Sequence, residues 1–261
     1  MSSPDYVAAH NRSAWDREVE IGNPATLPVS AARLEAAAGG DLVLTLTDRR
    51  PVPPGWLGGV KGASVLCLAC GGGQQVPLLA AAGAHVTAVD NSPRQIERDL
   101  KTLRAAGLEA IVKLGDMRDL SQIDDSEFDY VFVGLGTQFL PDPEPVWRET
   151  TRVLCPGGQL IAAIVNPIAY TFDWNEYKDG KLRIVHPLPY SDLTSLSREE
   201  REACFDAADP LEFGHTLEQQ IGGIIASGLV LTGFLEDVAP AEPSAAYFAT
   251  YFLLRGAKTS T

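Results

Sequence analysis

The chain has 261 residues, 45% of them hydrophobic, with 21 Lys and Arg against 34 Asp and Glu for a formal net charge of −13. That length and apolar content suit one large α/β domain with an insertion, or two small domains, and provide an ample core. Nucleic-acid partners draw their affinity from Lys and Arg, so the negative balance argues against DNA and RNA and in favour of a small-molecule substrate.

The N-terminal stretch Met1-Ser2-Ser3-Pro4-Asp5-Tyr6 has neither a basic patch nor an apolar core segment, and no run of 18 apolar residues follows it. A cytoplasmic protein without export signal or membrane span is therefore expected. Tyr6 to Arg17 reads as a short helix, ended by Gly22-Asn23-Pro24 and Leu27-Pro28. Pro51, Pro53, Pro54 and Gly55 then make an extended link. Residues 1–60 are expected to precede the main domain, 61–261.

Val65-Leu66-Cys67-Leu68-Ala69 is a short apolar run, and Cys70-Gly71-Gly72-Gly73 follows directly. A strand covered on both faces need not alternate, so the run reads as a buried parallel strand. The glycines permit a tight turn and a close approach of backbone to ligand. Val76 to Ala82 continues as a helix, with Pro77 in its first turn. Strand, glycine turn and helix start together make a nucleotide-type pocket at the carboxyl edge of a sheet.

A second strand, Ala84 to Val89, ends on Asp90. This carboxylate falls 17 residues after Gly73, near the roughly 20-residue offset at which an acid reaches a ribose diol. Ser92, Pro93 and Gln95 have capping-box spacing for the next helix, leaving Asp90 and Asn91 at the strand tip. A third strand, Ala110 to Leu114, runs into Gly115-Asp116-Met117, where a carboxylate and a polarisable thioether suit an adenine ring. Phe128 to Val133 is the fourth strand. Leu160 to Val165 is the fifth, entered through Pro156-Gly157-Gly158.

From Asn166 to Pro210 the strand–helix alternation breaks into a segment rich in aromatics, prolines and charges. Regular structure resumes with a helix from Thr216 to Ala226, stopped by Gly228. Two final strands are expected at Val230 to Leu235 and Ala246 to Leu254. The predicted architecture is a doubly wound, mostly parallel seven-stranded sheet with an inserted cap at about 166–210. Cys67 and Cys70 have C-x-x-C spacing, but no second pair follows, so no metal site is expected.

In these pieces the chain resembles the class I S-adenosylmethionine-dependent methyltransferases. Cys70-Gly71-Gly72-Gly73, Val89-Asp90, Gly115-Asp116-Met117, Phe128-Asp129-Tyr130-Val131 and Leu154-Cys155-Pro156-Gly157-Gly158 carry the likeness. It departs at Cys67, where an acid is usual, and at Ala69, where the first glycine is usual. The resemblance implies S-adenosylmethionine as cofactor, held by Ala69, Cys70, Gly71, Gly73, Gln75, Asp90, Asn91, Gln95, Asp116, Met117, Val133 and Gly134. It also implies an antiparallel C-terminal hairpin and an N-terminal lid carrying Trp15.

Methyl transfer is an in-line displacement that requires positioning and exclusion of water, so fold alone names no catalytic residue. His186, inside the aromatic insertion, is the histidine best placed as proton acceptor. Trp15, Gln138, Tyr170, Trp174, Tyr177 and Tyr190 are the expected acceptor contacts, for an aromatic or indole-type small molecule. Two other readings stay open: a cofactor-binding regulator without transfer activity, and an NAD-dependent oxidoreductase. The oxidoreductase reading has to accept Val76 at the third glycine of G-x-G-x-x-G.

Overall fold

The computed structural model describes residues 4–260; Met1–Ser3 of the N-terminal stretch lie outside them. Helix α1 (Pro4–Ile21) and helix α2 (Ala31–Ala38) precede the sheet. The wound core runs β1 (Ser64–Leu68), α3 (Gln75–Ala81), β2 (His85–Asp90), α4 (Pro93–Ala106), β3 (Ile111–Leu114), β4 (Phe128–Val133), α5 (Glu144–Val153) and β5 (Leu154–Val165). The insertion contains α6 (Trp174–Lys178), β6 (Tyr190–Ser191) and α7 (Arg198–Cys204), and β7 (Phe213–Gly214) follows it. The chain closes with α8 (Gly223–Ala226), β8 (Leu229–Asp237) and β9 (Tyr251–Lys258).

Seven strands form one sheet in the order β3-β2-β1-β4-β5-β9-β8. The first five are parallel, and β9 runs antiparallel to both β5 and β8. Burial explains why the central strands carry no polar alternation. Val65 and Cys67 point into one apolar layer together with Phe132, whereas Leu66 and Leu68 point into the other with Val131 and Val133. Both layers are covered by helices, so every position has to be apolar.

Several boundaries differ from expectation, each for a local reason. Strand β5 begins at Leu154, so Pro156-Gly157-Gly158 lies inside it, accommodated by a register shift opposite Phe128 and Tyr130. The expected helix at 216–226 is a π-helical turn, Glu218–Gly222, leading into the short α8. There Gly223 lies so close to Trp147 that a β-carbon would stand 2.8 Å from its ring. Strand β9 starts five residues later than Ala246, because Pro243–Ala246 forms a 3-10 turn. All four cysteines are unpaired, with Cys67 and Cys70 buried.

The cap at 166–210 is joined to its surroundings by side-chain hydrogen bonds more than by regular structure. Its strand pairing is β6 with β7, two residues each, beside an isolated antiparallel bridge between Phe172 and Ile184. Ahead of the sheet, Asp237 at the end of β8 accepts the backbone N–H groups of Arg49 and Arg50, at 2.9 and 2.8 Å. That bond fixes the segment around Thr45–Asp48 above the β9 end of the sheet.

Candidate functional site

Parallel strands present their carboxyl ends along one edge, and a cavity of about 370 Å³ lies there. Asp90, Asp116 and Met117 line one end, Thr47, Asp48 and Tyr251 the other, with Ala69, Cys70, Gly71 and Gly134 between them. Because the strand order is β3-β2-β1-β4-β5-β9, the two ends correspond to the β2–β3 tips and to the start of β9.

The turn after β1 is built on left-handed backbone. Ala69 has φ +48°, and Gly71, Gly72 and Gly73 have +41°, +40° and +90°. Ala69 therefore carries a conformation that costs an L-residue roughly 1–2 kcal/mol, which accounts for the glycine usual there in the resembled family. The N–H of Gly73 is donated to Asp99 Oδ1 at 2.6 Å. Asp99 is buried, and burial pushes its carboxyl up to about 7 despite that hydrogen bond. The sequence reading missed this residue. On α4 it shares a buried stripe with Gln95 and Leu103, at the i, i+4 and i+8 positions, and that spacing was the available signal.

At the tip of β2, Asp90 Oδ1 accepts the Ser92 N–H at 2.9 Å. Asp90 faces the cavity yet is surrounded by protein, so desolvation raises its carboxyl to about 6 against the pull of the N–H groups of Ser92, Asn91 and Gly71. The expected capping box forms only by half. Ser92 Oγ accepts from the Gln95 N–H, but the Ser92 N–H goes to Asp90 and not to the Gln95 side chain. Gln95 is left lining the cavity, its Oε1 buried without a partner. Asn91 also lines it, with its side chain turned to α1: Nδ2 donates to the Ala8 carbonyl and Oδ1 accepts from Arg12.

Beyond β3, the Nε of Arg118 donates to both oxygens of Asp116 at 3.0 Å, so any ligand amine must share that carboxylate. Met117 is buried against the cavity. Gly134 follows β4 where a β-carbon would stand 2.3 Å from the Ala69 carbonyl oxygen; only glycine lets the two turns touch. Gly73 and Val133 are not part of the lining. Gln75 is, donating from Nε2 to the Thr45 carbonyl at 2.9 Å with its Oε1 buried and unpartnered.

The expected acceptor contacts divide into two groups. Trp15 and Gln138 line the cavity, Trp15 edge-on to Phe139 at 5.1 Å between ring centres. Tyr170, Trp174, Tyr177, Tyr190 and His186 do not line it. They pack on one another inside the cap, with His186 edge-on to Tyr190 at 5.3 Å. The polar ends of the three tyrosines and of Trp174 are already engaged. Tyr170 donates to Glu212 at 2.6 Å, Tyr190 to Asp192 at 2.8 Å, Tyr177 to Glu242 at 2.7 Å, and Trp174 to the Tyr190 oxygen at 2.9 Å. Buried hydroxyls require such acceptors. In place of these aromatics the far wall is formed by Thr47, Asp48 and Tyr251, none of which the sequence reading named. Tyr251 pairs with Val165 at the end of β5, and an aromatic opening the last strand was the one hint of it.

Among the described residues, no cluster of His, Cys, Asp and Glu is placed to hold a metal ion, and no helix is long and apolar enough to cross a membrane.

Residues 66–162 match the family model described as a methyltransferase domain. A Bacillus subtilis protein, the uncharacterized methyltransferase YbaJ, is 41% identical over 231 residues, which is 88% of this chain and 91% of that one. A ubiquinone biosynthesis O-methyltransferase of Xanthomonas oryzae pv. oryzae is 35% identical over 175 residues, 64% of this chain and 62% of its own. Among solved structures, an S-adenosylmethionine-dependent methyltransferase of Mesorhizobium loti superposes with a TM-score of 0.61 at 18% identity, covering 78% of this chain and 95% of that one. The 1,6-didemethyltoxoflavin-N1-methyltransferase of Burkholderia thailandensis, bound to 1,6-didemethyltoxoflavin and S-adenosylhomocysteine, gives 0.60 at 15% identity over 99% and 92%. With the sheet order, the glycine turn and these likenesses together, the chain belongs to the class I S-adenosylmethionine-dependent methyltransferases and is an enzyme of that family.

Proposed function

We propose that this enzyme methylates a small aromatic or heteroaromatic molecule, such as an indole, held at the Asp48–Tyr251 end of the cavity. The observation that carries this reading is the sorting of groups along a single cavity. Carboxylates and a thioether lie at the β2–β3 tips, glycine backbone lies in the middle, and Trp15, Phe139 and Tyr251 contribute rings to the lining. A cavity of this size suits a small ligand. The Burkholderia enzyme, named for a small-molecule acceptor, supports the same class.

The residues present fit S-adenosylmethionine. Buried amide oxygens of Gln75 and Gln95 have no partners, and both side chains line the cavity beside the glycine turn. Asp90 would take the ribose hydroxyls, Asp116 and Met117 the adenine, and the Ala69–Gly73 turn the remainder. When bound, the cofactor supplies an electrophilic methyl group on a sulfonium. The contribution of the chain is to orient the acceptor in line and to keep water out, with α1 and residues 1–60 serving as lid over the 61–261 domain.

Incubation with a library of small aromatic acceptors should yield S-adenosylhomocysteine with some of them and none with DNA or RNA. Turnover confined to macromolecules would refute the reading. Asp90→Ala should weaken cofactor binding about ten- to hundredfold, the worth of charge-assisted hydrogen bonds to two hydroxyls. Calorimetry on the folded variant measures this, and an unchanged affinity would remove Asp90 from the ribose site.

A further inference from the structure

We propose that the acceptor is a nitrogen nucleophile, an amine or an N–H heterocycle, which brings hydrogen-bond donors and positive charge to the Asp48 end of the cavity. The inference rests on the small-molecule reading above and narrows its substrate class.

Among the described residues that line the cavity there is no Lys, Arg or His. Its charged groups are Asp48, Asp90 and Asp116. Two of these are committed to the β2–β3 end: Asp116 is held by Arg118, and Asp90 by the Ser92 N–H. Asp48 stands alone at the β9 end. Among the described residues it makes no hydrogen bond and no ion pair; it is exposed at the cavity rim, and partial desolvation, then the acids Asp237 and Glu242, raise its carboxyl. No cation offsets it there.

Gln138 is the second, independent observation. It lines the same cavity, is only 8% exposed, and its buried Oε1 has no partner. An amide so enclosed is costly unless a ligand completes it. Tyr251 adds a phenol that burial first, and then Asp48, Glu242, Glu212 and Asp237, hold in its neutral form. Trp15 adds an aromatic face, on which a cation is attracted by the ring quadrupole.

A carboxylate or phenolate entering this end would meet Asp48 with no cation to compensate. An N–H group meets the Asp48 carboxylate, the Gln138 oxygen and aromatic rings. Transfer to nitrogen forms one N–C bond from the nitrogen lone pair and breaks one C–S bond, whose electron pair remains on sulfur. One proton leaves nitrogen, from an ammonium before attack, since only then is its lone pair free, or from an N–H heterocycle as the bond forms, and the unpaired carboxylate of Asp48 is the lining group able to accept it.

Benzylamine and benzoate, matched in ring and size, test this on the protein saturated with S-adenosylhomocysteine, with binding followed by saturation-transfer NMR. Benzylamine should bind at least about tenfold more tightly than benzoate. Asp48→Asn should erase most of that preference while leaving S-adenosylhomocysteine affinity, read by calorimetry, unchanged. Equal binding, preference for benzoate, binding of neither, or a preference that survives Asp48→Asn would overturn the proposal. The underlying small-molecule reading fails on a separate result, the absence of any small-molecule turnover in the library.

Discussion

Asp99 and Ala69 together show how single side chains hold the glycine turn. Ala69 bears the left-handed strain, and Asp99 anchors the far end through the Gly73 N–H. The anchor is sensitive to pH, and its sign can be worked out. A carboxyl with an ordinary value near 3.8, raised in the fold to about 7, gives stability that is complete below the unfolded value and is lost as pH rises through the folded one. Asp90, raised to about 6, and Glu212, raised to about 7, act in the same direction. The ligand-free protein should therefore melt several degrees lower at pH 8 than at pH 5, at about 2–4 °C per kcal/mol for a chain of this size. Asp99→Asn keeps an oxygen for Gly73 and removes the charge, so its melting temperature should vary less over that range. Scanning calorimetry from pH 5 to 8 decides the matter, and parallel curves for the two proteins would assign the slope elsewhere.

At the scale of elements, the turns after β1 and β4 meet through glycine. Gly134→Ala puts a methyl against the Ala69 carbonyl, where one of the two turns must shift. Overpacking of this kind costs typically 1–3 kcal/mol, and because the shifted turn lines the cavity, cofactor affinity should fall with stability. A variant with wild-type melting and wild-type binding would show that the turns are not in contact. These turns were legible in the sequence because glycine marks them and because apolar strands covered on both faces leave a plain signature. The cap was not. Tyr170, Tyr177 and Tyr190 look the same in a sequence whether they line a ligand site or pack on each other. For Tyr170 and Tyr177, what separates the two cases is Glu212 and Glu242, acceptors far along the chain that only the fold brings to them. His186 belongs with that packing, and His186→Ala should leave cofactor affinity as it is.

Across the whole molecule, α1 ties the two sides of the cavity together. Asn11 donates to the carbonyls of Phe139 and Leu211 and accepts the Leu211 N–H, at 2.9, 3.0 and 2.7 Å. Asp16 accepts from Ser92 Oγ and from the Arg94 N–H at the start of α4. Asn11→Ala would strand buried backbone groups at about 1–3 kcal/mol each, so thermal denaturation should register a loss of several degrees, with weaker cofactor binding as the helix loosens. A melting temperature within a degree of wild type would mean that α1 is held mainly by its other contacts. The far wall of the cavity has a different origin. Thr47, Asp48 and Tyr251 lie outside residues 66–162, the stretch that matches the general methyltransferase domain. On the reading proposed above, what is methylated can be retuned at a loop ahead of the sheet and at the first residue of its last strand, while Gln138 and Phe139, inside the matched stretch, stay with the part that delivers the methyl group.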